Sequence, residues 1–249
     1  MKPILETKAL TKRYGDFVAN TDISVSIAEG TIHGVIGPNG AGKTTFFNCL
    51  AGTVPTSSGQ ILLAGKDITR LAQHARPLAG LSRSFQVTSL FADLSVFENL
   101  RLAHQAMSPT RGFVFWRSVD EAGPSADAAD HVLERTSLSS ERDTLVSELS
   151  HGQQRVLEVG VALMSQPRVL LLDEPTSGMG IDDIPQMITL LKALKDECTI
   201  VLIEHNVGLV TEVCDAVTVL QGGKVISEGT PQEVSQDEKV ITAYLGDEL

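Results

Sequence analysis

The sequence predicts an α/β fold: a largely parallel sheet interleaved with helices, preceded by an antiparallel β subdomain and interrupted by an inserted helical subdomain. Three observations predict it. Compact apolar runs at 32–36, 169–172, 199–203 and 216–220 are separated, in the second half of the chain, by longer helical patterns. The first 27 residues instead carry short alternating runs with a turn between them. From 87 to 148 strand alternation gives way to helix-favouring residues.

Taken in order, runs 5–10 and 23–27 read as strands, with Tyr14-Gly15-Asp16 as a turn between them. Strand 32–36 leads into a glycine-rich loop and a helix beginning near Thr44. Ser58-Gly59 and Ala64-Gly65-Lys66-Asp67 bracket a hairpin around 61–63. The polar patch 121–130 reads as a loop running into a helix. Helix 153–164, strand 169–172, helix 184–195, strand 199–203, helix 207–214 and strand 216–220 then follow. Gln221-Gly222-Gly223-Lys224 is a turn, and a short tail helix covers about 233–244. These boundaries give one domain over 1–249, with an inserted helical subdomain at about 87–155 and a C-terminal helical tail at about 226–249. Neither internal repeats nor low-complexity segments are visible.

Composition narrows the function. Hydrophobic residues at 42% and charged residues at 20% suit a folded domain with a sizeable core. A net charge of −11 argues against a nucleic-acid partner and against adhesion to anionic lipid. Any membrane attachment is then expected to run through a protein. Cys49, Cys198 and Cys214 have no metal or redox spacing and read as small buried hydrophobes in a reducing compartment. The first residues place Glu6 where a signal peptide needs an apolar run, and no stretch approaches the ~18 apolar residues of a membrane span. A cytoplasmic protein is expected.

Two motifs carry the chemistry. Gly37-Pro38-Asn39-Gly40-Ala41-Gly42-Lys43-Thr44 fits G-x-x-x-x-G-K-[ST] between a strand and a helix. Its glycines let backbone N–H groups converge on phosphate, and the following helix, with Thr45 in its first turn, points its positive end at the same charge. Lys43 is expected at the β/γ-phosphates, and the Thr44 hydroxyl on Mg²⁺. Val169-Leu170-Leu171-Leu172-Asp173-Glu174 is an apolar strand ending in two acids. Asp173 is then placed to hold Mg²⁺ through water, and Glu174 to accept a proton from an attacking water. His205, after strand 199–203, is a candidate for steadying the γ-phosphate and that water. The cofactors expected are ATP and Mg²⁺.

Leu149-Ser150-His151-Gly152-Gln153-Gln154-Arg155 resembles the LSGGQ signature of ABC (ATP-binding cassette) ATPases, and with it the whole chain is similar to that family. The resemblance implies a P-loop NTPase (RecA-like) core. It implies that Ser150, Gly152 and Gln153 close on a triphosphate held by a second cassette, in a homodimer or heterodimer. It also implies that Tyr14 stacks on adenine. Gln86, after Arg83-Ser84-Phe85, matches the Q-loop glutamine, which senses Mg²⁺ and the water. Permease subunits in the membrane and an extracytoplasmic solute-binding protein are the partners implied; nucleic acid is not.

Two positions depart from the pattern. His151 replaces the second signature glycine and is expected to face away from phosphate. Gly180, in Pro175-Thr176-Ser177-Gly178-Met179-Gly180, stands where many members carry the D-loop aspartate. Three features resemble the branched-chain amino acid importer subclass: the run from Ser84 through Leu100, the aromatic insert Gly112-Phe113-Val114-Phe115-Trp116-Arg117, and the tail Ala243-Tyr244-Leu245-Gly246. Lipopolysaccharide-export ATPases share much of this and are the alternative within transport. A soluble ABC protein would show a coiled-coil insertion, tandem cassettes or basic surfaces. A non-hydrolysing module sits poorly with Glu174, and a small-molecule kinase has no use for the signature.

Overall fold

The computed structural model describes residues 2–84, 90–107 and 123–245. β1 (Pro3–Tyr14) and β2 (Phe17–Ala28) form a long antiparallel hairpin closed by Tyr14 opposite Phe17. In β2 the residues Ile23, Val25 and Ile27 are buried while Asp22, Ser24 and Ser26 face out, the period of two expected of a half-buried strand. The buried β3 (Ile32–Ile36) runs into the glycine-rich loop and α1 (Lys43–Ala51). β4 (Ser58–Leu63) and β5 (Lys66–Asp67) then complete a four-stranded antiparallel sheet in the order β2-β1-β4-β5.

A short α2 (Arg76–Ala79) precedes β6 (Leu81–Arg83), a strand too brief for any sequence pattern to announce. The helical segment contributes α3 (Val96–Met107) and α4 (Pro124–Arg135). Then come α5 (His151–Leu163), β7 (Val169–Asp173), α6 (Ile184–Leu194), β8 (Thr199–Ile203), α7 (Val207–Val213) and β9 (Ala216–Gln221). The tail differs from the expected helix: it opens with β10 (Lys224–Gly229), and then divides into α8 (Pro231–Gln236) and α9 (Glu238–Leu245). The division falls at Asp237, whose backbone is extended (ψ 119°) and whose Oδ1 accepts from Lys239 N–H at 2.9 Å, while Thr230 sets where α8 begins. Thr230 caps α8 in a reciprocal capping box with Glu233, and a second start follows at Glu238.

Among the described residues the main sheet has six strands, in the order β10-β9-β3-β8-β7-β6. β9, β3, β8, β7 and β6 are parallel, and β10 is antiparallel to β9. Strand parity sorts the core into two layers. Leu170, Leu172, Ile200 and Leu202 pack with Leu100 of α3, Leu133 of α4, Leu157 of α5 and Leu191 of α6. Val169, Leu171, Val201 and Ile203 pack with Phe46 and Phe47 of α1 and with Leu5, Ile23 and Ile61 of the antiparallel sheet. Each such fully buried side chain contributes about 1.5–3 kcal/mol. By the same parity Asp173 lies on the α1 side of the sheet.

The three cysteines are free and buried, and burial pushes their thiols up to about 11 for Cys49 and Cys198 and about 12 for Cys214. They behave as the small apolar fillers expected. Among the described residues no helix is long and apolar enough to cross a membrane.

Candidate active site

Three parallel strand ends converge at the carboxyl edge of the sheet. β8 lies between β3 and β7, so the loop after β3, the acids closing β7 and the residues after β8 are neighbours. Residues from Gly37 to Thr45 form the first wall. α1 starts after Gly42, whose φ is +97° and which supplies no side-chain cap. The opening N–H groups of the helix are therefore left for an anion. A Cβ at Gly42 would sit 2.5 Å from Asn20 Nδ2 and 2.6 Å from the Ala19 carbonyl oxygen, so β2 presses on the loop too closely for any side chain. Ala41 N–H donates to the Pro38 carbonyl at 3.2 Å, and Gly223 N–H to the Ala41 carbonyl at 3.0 Å. Asn39, Gly40 and Thr44 are exposed at the mouth.

Lys43 is buried and folds over the loop, donating to the carbonyls of Gly37 at 2.6 Å and Pro38 at 2.9 Å. Burial lowers its pKa, while the carboxylates of Glu174 and Asp173 pull in the opposite direction. The Lys43 ammonium thus senses both carboxylates across the site.

Asp173 ends β7 with its side chain buried. Its Oδ2 accepts from the Arg83 guanidinium at 2.6 Å, and Arg83 also donates to Asn48 Oδ1 at 2.6 Å. Asp173 Oδ1 is buried and, among the described residues, has no hydrogen-bond partner. An orphan carboxylate oxygen on the strand end beside the phosphate loop suits a hard divalent cation. Among the described residues no group of three His, Cys, Asp or Glu could cage a metal. Magnesium fits this better than most ions, because it is commonly held by one or two carboxylates, water and substrate phosphate.

Glu174 adopts φ +50°, a left-handed conformation that costs a non-glycine residue about 1–2 kcal/mol. Its backbone N–H donates to the Ile203 carbonyl at 3.0 Å, locking β7's end to β8's. The turn aims the carboxylate away from Asp173 and onto His205, whose Nε2 lies 2.9 Å from Glu174 Oε1. Both side chains remain accessible to solvent. Acid and imidazole are therefore one unit. Gln86 and the aromatic residues Phe113, Phe115 and Trp116 lie outside the described residues.

Tyr14 is 47% exposed at the end of the first hairpin, with Lys12 Nζ 4.7 Å from its ring centroid. The hairpin's second strand reaches the loop directly, Asn20 donating to the Gly42 carbonyl at 3.1 Å. The same hairpin thus carries an exposed aromatic ring at its tip and touches the phosphate cradle further along β2.

Ser150 caps α5. Its hydroxyl accepts from Gln153 N–H at 3.1 Å, and Gln153 Oε1 accepts from Ser150 N–H at 2.9 Å. The Gln153 side chain is therefore occupied by the cap, while Ser150 is exposed at a positively ended helix. Gly152 is buried against Asp183: an added Cβ would lie 2.5 Å from Asp183 Oδ2. His151 turns toward its own chain, its Cδ2 lying 3.3 Å from where a Cβ on Gly178 would be. A Cβ on Gly180 would likewise lie 3.4 Å from Asp183 Oδ2, so Asp183 stands beside the position lacking the D-loop acid.

Sequence patterns did not single out Arg83 as Asp173's partner, nor Glu204, which is buried behind His205. An acid directly before the candidate histidine was the one available signal for the second. The tail also reaches the site. Burial raises the Tyr244 phenol, and a hydrogen bond from the Gly37 backbone opposes that rise.

Comparison with known proteins bears on the family. The sequence profile described as "ABC transporter" matches residues 20–177, and that of "Branched-chain amino acid ATP-binding cassette transporter" matches residues 224–249. The high-affinity branched-chain amino acid transport ATP-binding protein BraF of Pseudomonas aeruginosa is 36% identical over 255 residues, covering 99% of both chains. The lipopolysaccharide export system ATP-binding protein LptB of Escherichia coli strain K12 is 35% identical, covering 98% of both. Among solved structures, an ATP-binding cassette of an ABC transporter in its ADP conformation superposes with a TM-score of 0.88 at 30% identity, covering 99% of this chain and 100% of the other. A chain with this sheet, this phosphate loop and this signature helix belongs to the ATP-binding cassette family of ABC transporters. Within it, the chain is the ATPase subunit of a transporter.

Proposed function

We propose that this subunit hydrolyses ATP with Mg²⁺ as one of two cassettes whose closure drives permease subunits, importing branched-chain amino acids or a related amino acid or amide. The observation that carries the catalytic part is the meeting of three strand ends: the 37–45 loop, Asp173 with Glu174, and His205 lie at one edge of the sheet. The match of residues 224–249 to the branched-chain profile, and the likeness to BraF, favour the cargo class. Localisation follows as the cytoplasmic face of the cell membrane, held through permeases and served by an extracytoplasmic solute-binding protein.

Binding begins at the loop, where backbone N–H groups and Lys43 take the phosphates and Tyr14 offers its ring to adenine. Thr44, Gln86 and the free oxygen of Asp173 would hold Mg²⁺, which would supply charge neutralisation at the triphosphate. Glu174, turned outward by its left-handed backbone, takes the proton of the attacking water, and His205 holds that carboxylate in place. Ser150 and Gly152 of a second cassette, at a helix N-terminus, face the γ-phosphate. The helical segment 87–155 acts as an arm between nucleotide and membrane. A cavity of about 450 Å³ between α2, β6, α3 and α5, lined by Arg76, Arg83, Ala103 and Glu158, is our candidate for permease contact.

The alternative within transport is lipopolysaccharide-type export, supported by the likeness to LptB. The deciding experiment reconstitutes the chain with its membrane partners and compares wild type with Glu174→Gln. Expected are ATP-dependent uptake of labelled branched-chain amino acid, and in the variant a loss of turnover of about 10²–10⁴-fold with ATP still bound and a stable dimer. Near-normal hydrolysis by the variant removes Glu174 from its role. Absence of uptake with intact ATPase activity removes the cargo assignment.

A further inference from the structure

Directly after β8, Glu204 is buried at 4% exposure, an expensive place for a carboxylate unless its oxygens are fully partnered. They are. Its Oε1 accepts from the Thr176 backbone N–H at 3.1 Å and from the Thr176 hydroxyl at 2.6 Å. Its Oε2 accepts from the backbone N–H groups of His205 at 3.0 Å and Asn206 at 3.3 Å. One carboxylate thus bridges two loops, each through two donors.

Those loops are the ones that carry the chemistry. Thr176 lies two residues beyond Glu174, and His205 is the residue holding Glu174 at 2.9 Å. Glu174 itself sits at φ +50°, a conformation that persists only where its surroundings over-determine it. The bond from Glu174 N–H to the Ile203 carbonyl fixes the turn on one side, and Glu204 fixes it on the other. Asn206, the next residue, caps α7 by accepting from Leu209 N–H at 3.1 Å, so the staple extends into that helix. No neutral side chain of similar size reproduces the pattern. A glutamine amide can keep its oxygen for the His205 and Asn206 N–H groups, but its N–H₂ then faces Thr176, whose hydroxyl can turn to accept while its backbone N–H loses its acceptor.

We propose that Glu204 is a positioning residue for ATP hydrolysis: it sets the separation of the 174–177 and 204–206 loops, so that Glu174 and His205 stay within hydrogen-bond reach. It acts through these loops and does not touch nucleotide. The inference rests on the roles proposed above for Glu174 and His205.

The test is a double-mutant cycle on the full chain in its transporter, measuring single-turnover ATP hydrolysis and the affinity for a fluorescent ATP analogue. Glu204→Gln is expected to slow hydrolysis about 10-fold in the wild-type background and less than about 2-fold in a His205→Ala background, a coupling that independent sites do not show. Within each background, adding Glu204→Gln is expected to change nucleotide affinity by less than about 2-fold, because the 37–45 loop is untouched. Should Glu204→Gln fail to fold, Thr176→Val removes a single bond to the same carboxylate and is expected to lose about 3-fold, again only when His205 is present. Unchanged hydrolysis, or equal losses in both backgrounds, overturns the proposal. Full activity of Glu174→Gln overturns the underlying reading instead, so the two failures are told apart.

Discussion

The guanidinium of Arg83 lies 2.6 Å from Asp173 Oδ2, joining the last residue of β6 to the last residue of β7 across an almost completely buried contact. Arg83 is anchored in turn by Asn48 on α1, so strand end, strand end and phosphate-loop helix form one clamp. The carboxylate retains one oxygen for other work.

Removing the arginine leaves a buried charge without its partner. Arg83→Ala is expected to lower the unfolding free energy by about 3–5 kcal/mol, read from urea melts followed by circular dichroism. A loss below about 0.5 kcal/mol would show the pair to be as inconsequential as an exposed one.

Lys43→Ala should weaken ATP binding roughly 10- to 100-fold, the worth of one charge-assisted hydrogen bond to phosphate. Fluorescence titration with an ATP analogue measures it. Unchanged affinity would mean that backbone N–H groups alone suffice.

Gly152→Ala introduces a Cβ that meets Asp183 at 2.5 Å, forcing α5 and the start of α6 apart. A destabilisation of about 1–3 kcal/mol is expected, together with slower hydrolysis. Pairing it with Asp183→Ala should recover most of the stability. If the double variant is no better than the single, the contact is not the cause.

His33 provides a pH signature. It is buried in β3 with Nε2 2.8 Å from the Thr218 hydroxyl, and burial lowers its pKa to about 4 from 6.5. A depressed folded value means the unfolded chain binds the proton first. Stability is therefore full above pH 6.5 and declines as pH falls toward 4, by roughly 3 kcal/mol in all from this group. His33→Asn should flatten that decline between pH 7 and pH 5 in urea melts. Parallel curves for variant and wild type would assign acid sensitivity elsewhere.

How much of this was legible beforehand depended on distance along the chain. The phosphate loop is contiguous, so its residues, strand and helix could be read together. Asp173, Glu174 and His205 each followed an apolar run long enough to recognise. Arg83 and Asp173 are 90 positions apart, and nothing in either local pattern links them. Glu204 and Thr176 are 28 apart and meet only because β7 and β8 are neighbours. The strands β6 and β10 were missed for different reasons. The first offers three residues, and the second is only partly buried, without a clean alternation. The contact of Gly152 with Asp183 depends on how two helix starts pack, which no periodicity encodes.

The brevity of β6 has its own consequence. Three residues at the margin of a sheet carry too little apolar pattern to select one alignment against the neighbouring strand. A slip of a single position would swing Leu81 to the opposite side and carry the guanidinium away from both its acceptors. Charge here does the work that hydrophobic patterning does in longer strands: it pins the register of the edge from which the chain departs toward Gln86.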